Sequence, residues 1–180
     1  MTATERILLV SGSTRAGSTN TATLRTVAAV ATDDVVAVLY EGLADLPAFN
    51  PDDDHEPLPP SVADLRRQIA GADAVLFCTP EYAGALPGSF KNLLDWTVGG
   101  IELYGKPAAW INVAADGRGT GAADSLAVVL GYLGAAEIAD ACIRLPVARD
   151  AVGPDGVVAD ETFRRRLAEV LGAIVHHLRR

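Results

Sequence analysis

At 180 residues, 49% of them hydrophobic, the chain has the length of one ordinary domain and enough apolar side chains for a substantial core. Its 15 basic residues against 23 acidic ones leave a net charge of -8, which repels nucleic acid and anionic membranes, so any anionic ligand must be held by local groups. No apolar run approaches the roughly 20 residues of a membrane span, and MTATERILLV lacks the layout of a signal peptide; a cytoplasmic protein with a single domain over 1–180 is expected.

The first predicted element is a strand at Ile7 to Val10, apolar throughout as a strand covered on both faces should be. SGSTRAGSTNT, residues 11 to 21, follows it and leads into a helix that begins near Asn20 and carries Leu24, Val27 and Ala28 on one side. A second strand is expected at Val35 to Leu39. The stretch PAFNPDDDHEPLPP, residues 47 to 60, has prolines and charges that exclude strand or helix and mark a surface loop. Its Asp52, Asp53, Asp54, His55 and Glu56 lack the glycine and spacing of a calcium loop and are expected to be solvated, so no metal site is expected.

Val62, Leu65 and Ile69 give a second one-sided helix, Ala74 to Cys78 a third strand, and Phe90, Leu93 and Leu94 a third helix. Ala108 to Val113 reads as a fourth strand, Leu126, Val129, Leu130 and Leu133 as a fourth helix, and Ala141 to Leu145 as a weaker fifth strand. The last helix is the clearest: Phe163, Leu167, Val170, Leu171, Ile174, Val175 and Leu178 form one apolar stripe opposite Arg164, Arg165, Glu169 and Arg179. This alternation implies an α/β fold, a parallel sheet with right-handed crossovers and helices on both faces. Cys78 and Cys142 sit in apolar stretches and read as core residues.

In such a sheet the ligand crevice lies beyond the carboxyl ends of the strands, where strand order reverses. The loop after the first strand offers Gly12 and Gly17 for bending, hydroxyls on Ser13, Ser18 and Thr19, the charge of Arg15, and a helix N-terminus; together these suit a phosphate monoester. A helix cap from Ser18, Thr19 or Asn20 is the competing account, but a cap needs one oxygen and this loop supplies several donors. GSTRAGST is not a Walker loop, since the lysine is missing.

After the third strand, TPEYAGALPGSFKNLLDW, residues 79 to 96, brings Pro80, Gly84 and Gly88 to let backbone amides approach a planar ring, with Tyr82 offering a face or a hydroxyl. Glu81 is more simply read as bonded to nearby amides or solvated than as an acid or base. Lys91, Asn92, Asp95 and Trp96 read as helix-packing or interface residues. After the fourth strand, NVAADGRGTGAADS, residues 112 to 125, contains alternating Gly117, Gly119 and Gly121, whose spacing departs from the GxGxxG of dinucleotide folds even though Glu137 lies at a tempting distance. It is taken as the third wall of the crevice, with Asp116 and Gly117 nearest the ligand.

GSTRAGSTN is similar to the GSxRxxSxN phosphate loop, and PEYAGALPGSFKNLLDW to the PEYNxxxPGxLKNxxDW segment, of the NADPH-dependent FMN reductase family, flavodoxin-like quinone, azo and chromate reductases. The resemblance runs from Ile7 to Leu133. It implies a flavodoxin-like three-layer doubly wound sandwich with five parallel strands in the order 2-1-3-4-5, non-covalent FMN, and homodimers or homotetramers. It also implies that Ser13, Arg15, Ser18 and Asn20 hold the FMN phosphate with the amide of Thr19, and that Pro80, Glu81, Tyr82 and Ala83, with Gly84, border the isoalloxazine ring. Many members carry asparagine where Ala83 stands, which leaves cofactor affinity and acceptor preference open.

The expected reaction passes a hydride from NADPH or NADH through FMN to a small-molecule acceptor such as a quinone. The cofactor carries the hard chemistry, so no side chain is required as acid or base and no catalytic residue is named. Arg118 is placed between a solvated surface charge and a contact to the nucleotide phosphate. Two other readings stand beside this one: a flavodoxin-type electron carrier that needs a protein partner, and an NAD(P)-binding dehydrogenase or sensor built on GRGTGA.

Overall fold

The computed structural model describes residues 4–180. Its first strand, β1 (Glu5–Ser11), is central, with β2 (Val35–Tyr40) on one side and β3 (Ala74–Cys78) on the other. Beyond β3 lies β4 (Pro107–Asn112), whose outer side pairs with β5 (Ala136–Glu137) and β6 (Ile143–Arg144). Every pairing between these strands is parallel, and the order is β2-β1-β3-β4-β5, as expected.

The unbroken apolar runs of the inner strands follow from two cores. Ile7 and Leu9 of β1 point into a cluster with Leu24 and Val27 of α1 (Thr19–Val30) and Phe163, Leu167 and Ile174 of α5 (Glu161–Leu178). Leu8 and Val10 point the other way, into a cluster with Leu65 of α2 (Pro60–Ala70), Leu93 of α3 (Gly88–Asp95) and Leu126 of α4 (Thr120–Tyr132). All four β1 side chains are fully buried, and each contributes about 1.5–3 kcal/mol of burial free energy. The result is a three-layer sandwich, with α1 and α5 on one face and α2, α3 and α4 on the other. The order reverses between β1 and β3, so the crevice opens over their carboxyl ends.

Two expectations need correction. The fifth strand is not one segment over Ala141–Leu145; it is split into β5 and β6 by a 3₁₀ turn at Ala139–Ala141. Ile138 and Ala141 are both buried in the α5-side core, yet residues three apart on a strand face opposite ways, so the chain must turn to bury both. The 47–60 stretch contains a 3₁₀ turn at Pro51–Asp53 and is stitched down. Asn92 donates to the Pro47 carbonyl at 2.8 Å and accepts from the Phe49 amide at 2.7 Å, while Trp96 Nε1 also donates to Pro47 at 2.8 Å. The Phe49 ring meets the Trp96 ring edge-on at 5.0 Å.

Asp54 is not solvated: it pairs with Arg66 at 2.6 Å, with side chains only 9% and 11% exposed, and Arg66 Nε donates to the Trp96 carbonyl at 2.8 Å. Gly99 admits the carboxylate, because a Cβ there would overlap it. Asp52, Asp53, His55 and Glu56 are exposed. Asn92 and Trp96 are therefore packing residues, as read from the sequence, and their work is to bind this strap to α3.

Candidate functional site

Three loops rise from the carboxyl ends of β1, β3 and β4 and enclose a cleft of about 410 Å³, within the range of small-molecule and cofactor sites. The loop after β1 is braced by its own hydroxyls. Ser11 Oγ shares a 2.8 Å hydrogen bond with Thr21 Oγ1 and accepts from the Ser13 amide at 3.3 Å; Ser13 Oγ in turn accepts from the Arg15 amide at 3.3 Å. Arg15 Nη2 donates to the Gly17 carbonyl at 2.8 Å, and Gly17 takes the left-handed φ of 67° that closes the turn. Below it, Gly12 donates its amide to the Cys78 carbonyl at 2.9 Å, and a Cβ at Gly12 would overlap Thr79.

Ser18 is the N-cap of α1 with an extended backbone, but its side chain makes no capping hydrogen bond, and the first turn holds no acidic residue. The first amides of α1 are thus without the side-chain oxygen that an N-cap usually offers them as acceptor. Ser13, Arg15, Ser18, Thr19 and Asn20 all line the cleft. Asn20 is buried, and its Oδ1 accepts a weak bond from Cys78 Sγ at 3.4 Å. Burial pushes the Cys78 thiol well up, so it stays protonated and inert at neutral pH.

From the loop after β3, Pro80, Glu81 and Tyr82 line the cleft together with Thr79, which the sequence did not single out. Ala83 and Gly84 stand at the exposed tip, outside the lining. Tyr82 and Ala85 exchange two backbone hydrogen bonds of 3.1 Å, and the two residues between them have φ of 52° and 75°, a type I′ turn. Alanine fits this conformation poorly, whereas Asn-Gly is the preferred pair. Ala83→Asn is expected to stabilise the protein by about 0.5–1 kcal/mol and to raise its melting temperature by about 1–4 °C; a lower melting temperature would show that the turn is not under this strain.

Glu81 is bonded to an amide, one of the two simple states read from its sequence: its Oε2 accepts from the Ala122 amide in the first turn of α4 at 3.0 Å. A Cβ on Gly121 would overlap the Gly84 carbonyl, so the two backbones touch at this point. The alternating glycines after β4 have the same kind of explanation. Gly119 is the left-handed N-cap of α4, with φ of 81°, and Gly121 makes the close approach. Glu137 accepts from Trp110 Nε1 at 3.3 Å at the sheet edge and does not line the cleft.

The third wall comes from Val113, Ala114, Ala115, Arg118 and Gly119, while Asp116 and Gly117 form the exposed tip outside the lining. Asn112 holds this loop shut, donating to the Gly119 carbonyl at 2.8 Å and accepting from the Ala114 amide at 3.0 Å. Val147 and Arg149, just past β6, complete the cleft and went unread in the sequence; their only signal there was a position shortly after a strand end. Arg15, Arg118 and Arg149 make no ion pair with a carboxylate among the described residues, and Glu81, the one carboxylate of the lining, is engaged with α4. In a chain of net charge -8, three arginines without a carboxylate partner thus share one cleft.

The family described as NADPH-dependent FMN reductase matches residues 6–149 of the chain. An NAD(P)H-dependent FMN reductase of Pseudomonas aeruginosa is 32% identical over 178 residues, which cover 97% of this chain and 96% of that one. A 2-hydroxy-1,4-benzoquinone reductase of a Burkholderia species is 35% identical over 132 residues, 71% of each chain. Among solved structures, FerB, a flavoenzyme NAD(P)H:(acceptor) oxidoreductase from Paracoccus denitrificans, superposes with a TM-score of 0.78 at 29% identity over 97% of both chains.

Proposed function

The chain belongs to the NADPH-dependent FMN reductase family, and from that premise we propose that the cleft over β1, β3 and β4 is where it carries electrons from a nicotinamide nucleotide, by way of FMN, to a quinone-type acceptor. It is an oxidoreductase that uses NAD(P)H and FMN and acts on a small molecule. The observation that carries the siting is the unused start of α1: Ser18 caps nothing with its hydroxyl, and Arg15 stands beside it. A doubly ionised phosphate matches that donor set, since helix amides, hydroxyls and a guanidinium all donate and none competes.

On this reading Ser13, Arg15, Ser18 and Asn20, with the amide of Thr19, hold the phosphate. Pro80, Glu81 and Tyr82 border the ring, with Ala83 and Gly84 at the exposed tip of the same turn and Asp116 and Gly117 at the exposed tip of the loop after β4. When bound, FMN supplies the two-electron chemistry. The chain's task is then to seat, orient and shield. No histidine or cysteine lines the cleft among the described residues and its single carboxylate is engaged, which supports a positioning role for the protein and no named catalytic side chain. Arg118 and Arg149 line the same cleft, and their guanidinium groups are suited to the phosphates of the nicotinamide nucleotide.

The whole chain, 1–180, is proposed as one flavin-binding domain. A homodimer or homotetramer is proposed, for which exposed Val98, Ile101, Tyr104, Val128 and Tyr132 offer apolar surface to cover. Two free cysteines and a nicotinamide donor favour the cytoplasm, and no described helix is long and apolar enough to cross a membrane.

One preparation tests this reading. The purified protein is expected to be yellow, to bleach on addition of NADPH and to recover on addition of a quinone, with no partner protein; light scattering gives two or four times 18.7 kDa. Protein that stays colourless in excess FMN would overturn the siting. Bleaching by NADPH that only a second protein can reverse would favour the electron carrier.

A further inference from the structure

We propose that Glu81 is a positioning residue whose carboxylate locks the turn after β3 to the first turn of α4, fixing the distance between two walls of the cleft. This rests on the reading of the cleft as the FMN site. The N-cap of α4 is Gly119, which has no side chain, and the first turn of α4 has no acidic residue. Glu81, 41 residues earlier in the chain, supplies the missing acceptor to the Ala122 amide at 3.0 Å, with its negative charge at the positive end of the helix.

Three further features make this bond a lock. The turn it holds is itself stiff, closed by the two 3.1 Å bonds between Tyr82 and Ala85. The gap it spans is closed to backbone contact, because Gly121 has no Cβ to keep the Gly84 carbonyl away. The far side is anchored as well, since Asn112 ties Gly119 and Ala114 to the end of β4. A restraint therefore runs from the ring-bordering turn through Glu81 to α4 and back to the sheet. Glu81 works through an accepted hydrogen bond, which a glutamine oxygen also accepts and an alanine does not.

Glu81→Ala and Glu81→Gln separate this role from proton chemistry. In the flavin-free protein, Glu81→Ala is expected to speed hydrogen exchange at the Ala122 amide by about tenfold, the loss of one hydrogen bond, and Glu81→Gln by about threefold or less. FMN titration should follow the same order, with affinity about tenfold weaker in the alanine variant and largely restored by glutamine. The pH dependence of kcat in Glu81→Gln should keep the wild-type shape. Unchanged exchange in Glu81→Ala overturns the lock, and so does a glutamine variant as impaired as the alanine one, since that outcome assigns the work to the charge or proton of the carboxyl group and not to the hydrogen bond it accepts. A wild-type protein that binds no FMN overturns the cleft reading, while the exchange measurement, made without flavin, still decides the lock.

Discussion

Replacing Arg15 with alanine is expected to raise the dissociation constant for FMN by about 10- to 100-fold, the loss of about 1.5–3 kcal/mol that a hydrogen bond to a charged group contributes. The side chain is exposed, pairs with no carboxylate among the described residues, and makes one bond, to the Gly17 carbonyl of its own loop. Its removal therefore leaves the core untouched. The melting temperature of the flavin-free protein should stay within about 2 °C of the wild type, as surface substitutions do. Flavin fluorescence titration and a thermal melt read the two quantities separately. An unchanged affinity would mean that the guanidinium points away from the phosphate; a large fall in melting temperature would mean that it holds the loop together.

Gly12→Ala should have the largest effect on the folded state. Gly12 leaves β1 beside the end of β3, and an added methyl would overlap Thr79 and lie 3.0 Å from the ring of Phe90 on α3. Thr79 lines the cleft and Phe90 is fully buried, so neither can give way cheaply. Overpacking of this kind costs about 1–3 kcal/mol, which lowers the melting temperature by about 2–12 °C. FMN affinity should fall in the same variant on the proposed siting, because the loops after β1 and β3 are pushed apart at their shared root. Calorimetry with a parallel titration checks both; a variant as stable as the wild type would show that the strand ends tolerate separation.

Four of the strands and the loops after the first and third of them are legible in the sequence for a physical reason. A parallel strand with a helix layer on each face is apolar at successive positions, as Ile7, Leu8, Leu9 and Val10 are, and a phosphate-seating turn needs small residues and donors in one short stretch. What was illegible depends on partners distant in the chain. Asp54 reads as one more acid in a charged run until Arg66 and the bare backbone of Gly99 come to meet it. Arg149 goes unread because the broken strand before it hides where the chain re-enters the cleft. The glycines of GRGTGA suggest a nucleotide turn by their number, yet one is a left-handed cap and another a point of backbone contact, and neither role leaves a mark in spacing alone.

A full-length fifth strand would present incoming chains with a row of free amides and carbonyls to zip onto. Beyond β4 the margin of the sheet instead runs straight for the two residues of β5, folds inward at Ala139–Ala141, and straightens again for the two residues of β6. A stray strand finds no template of useful length there. Cross-β pairing with another chain has little to extend from on that flank.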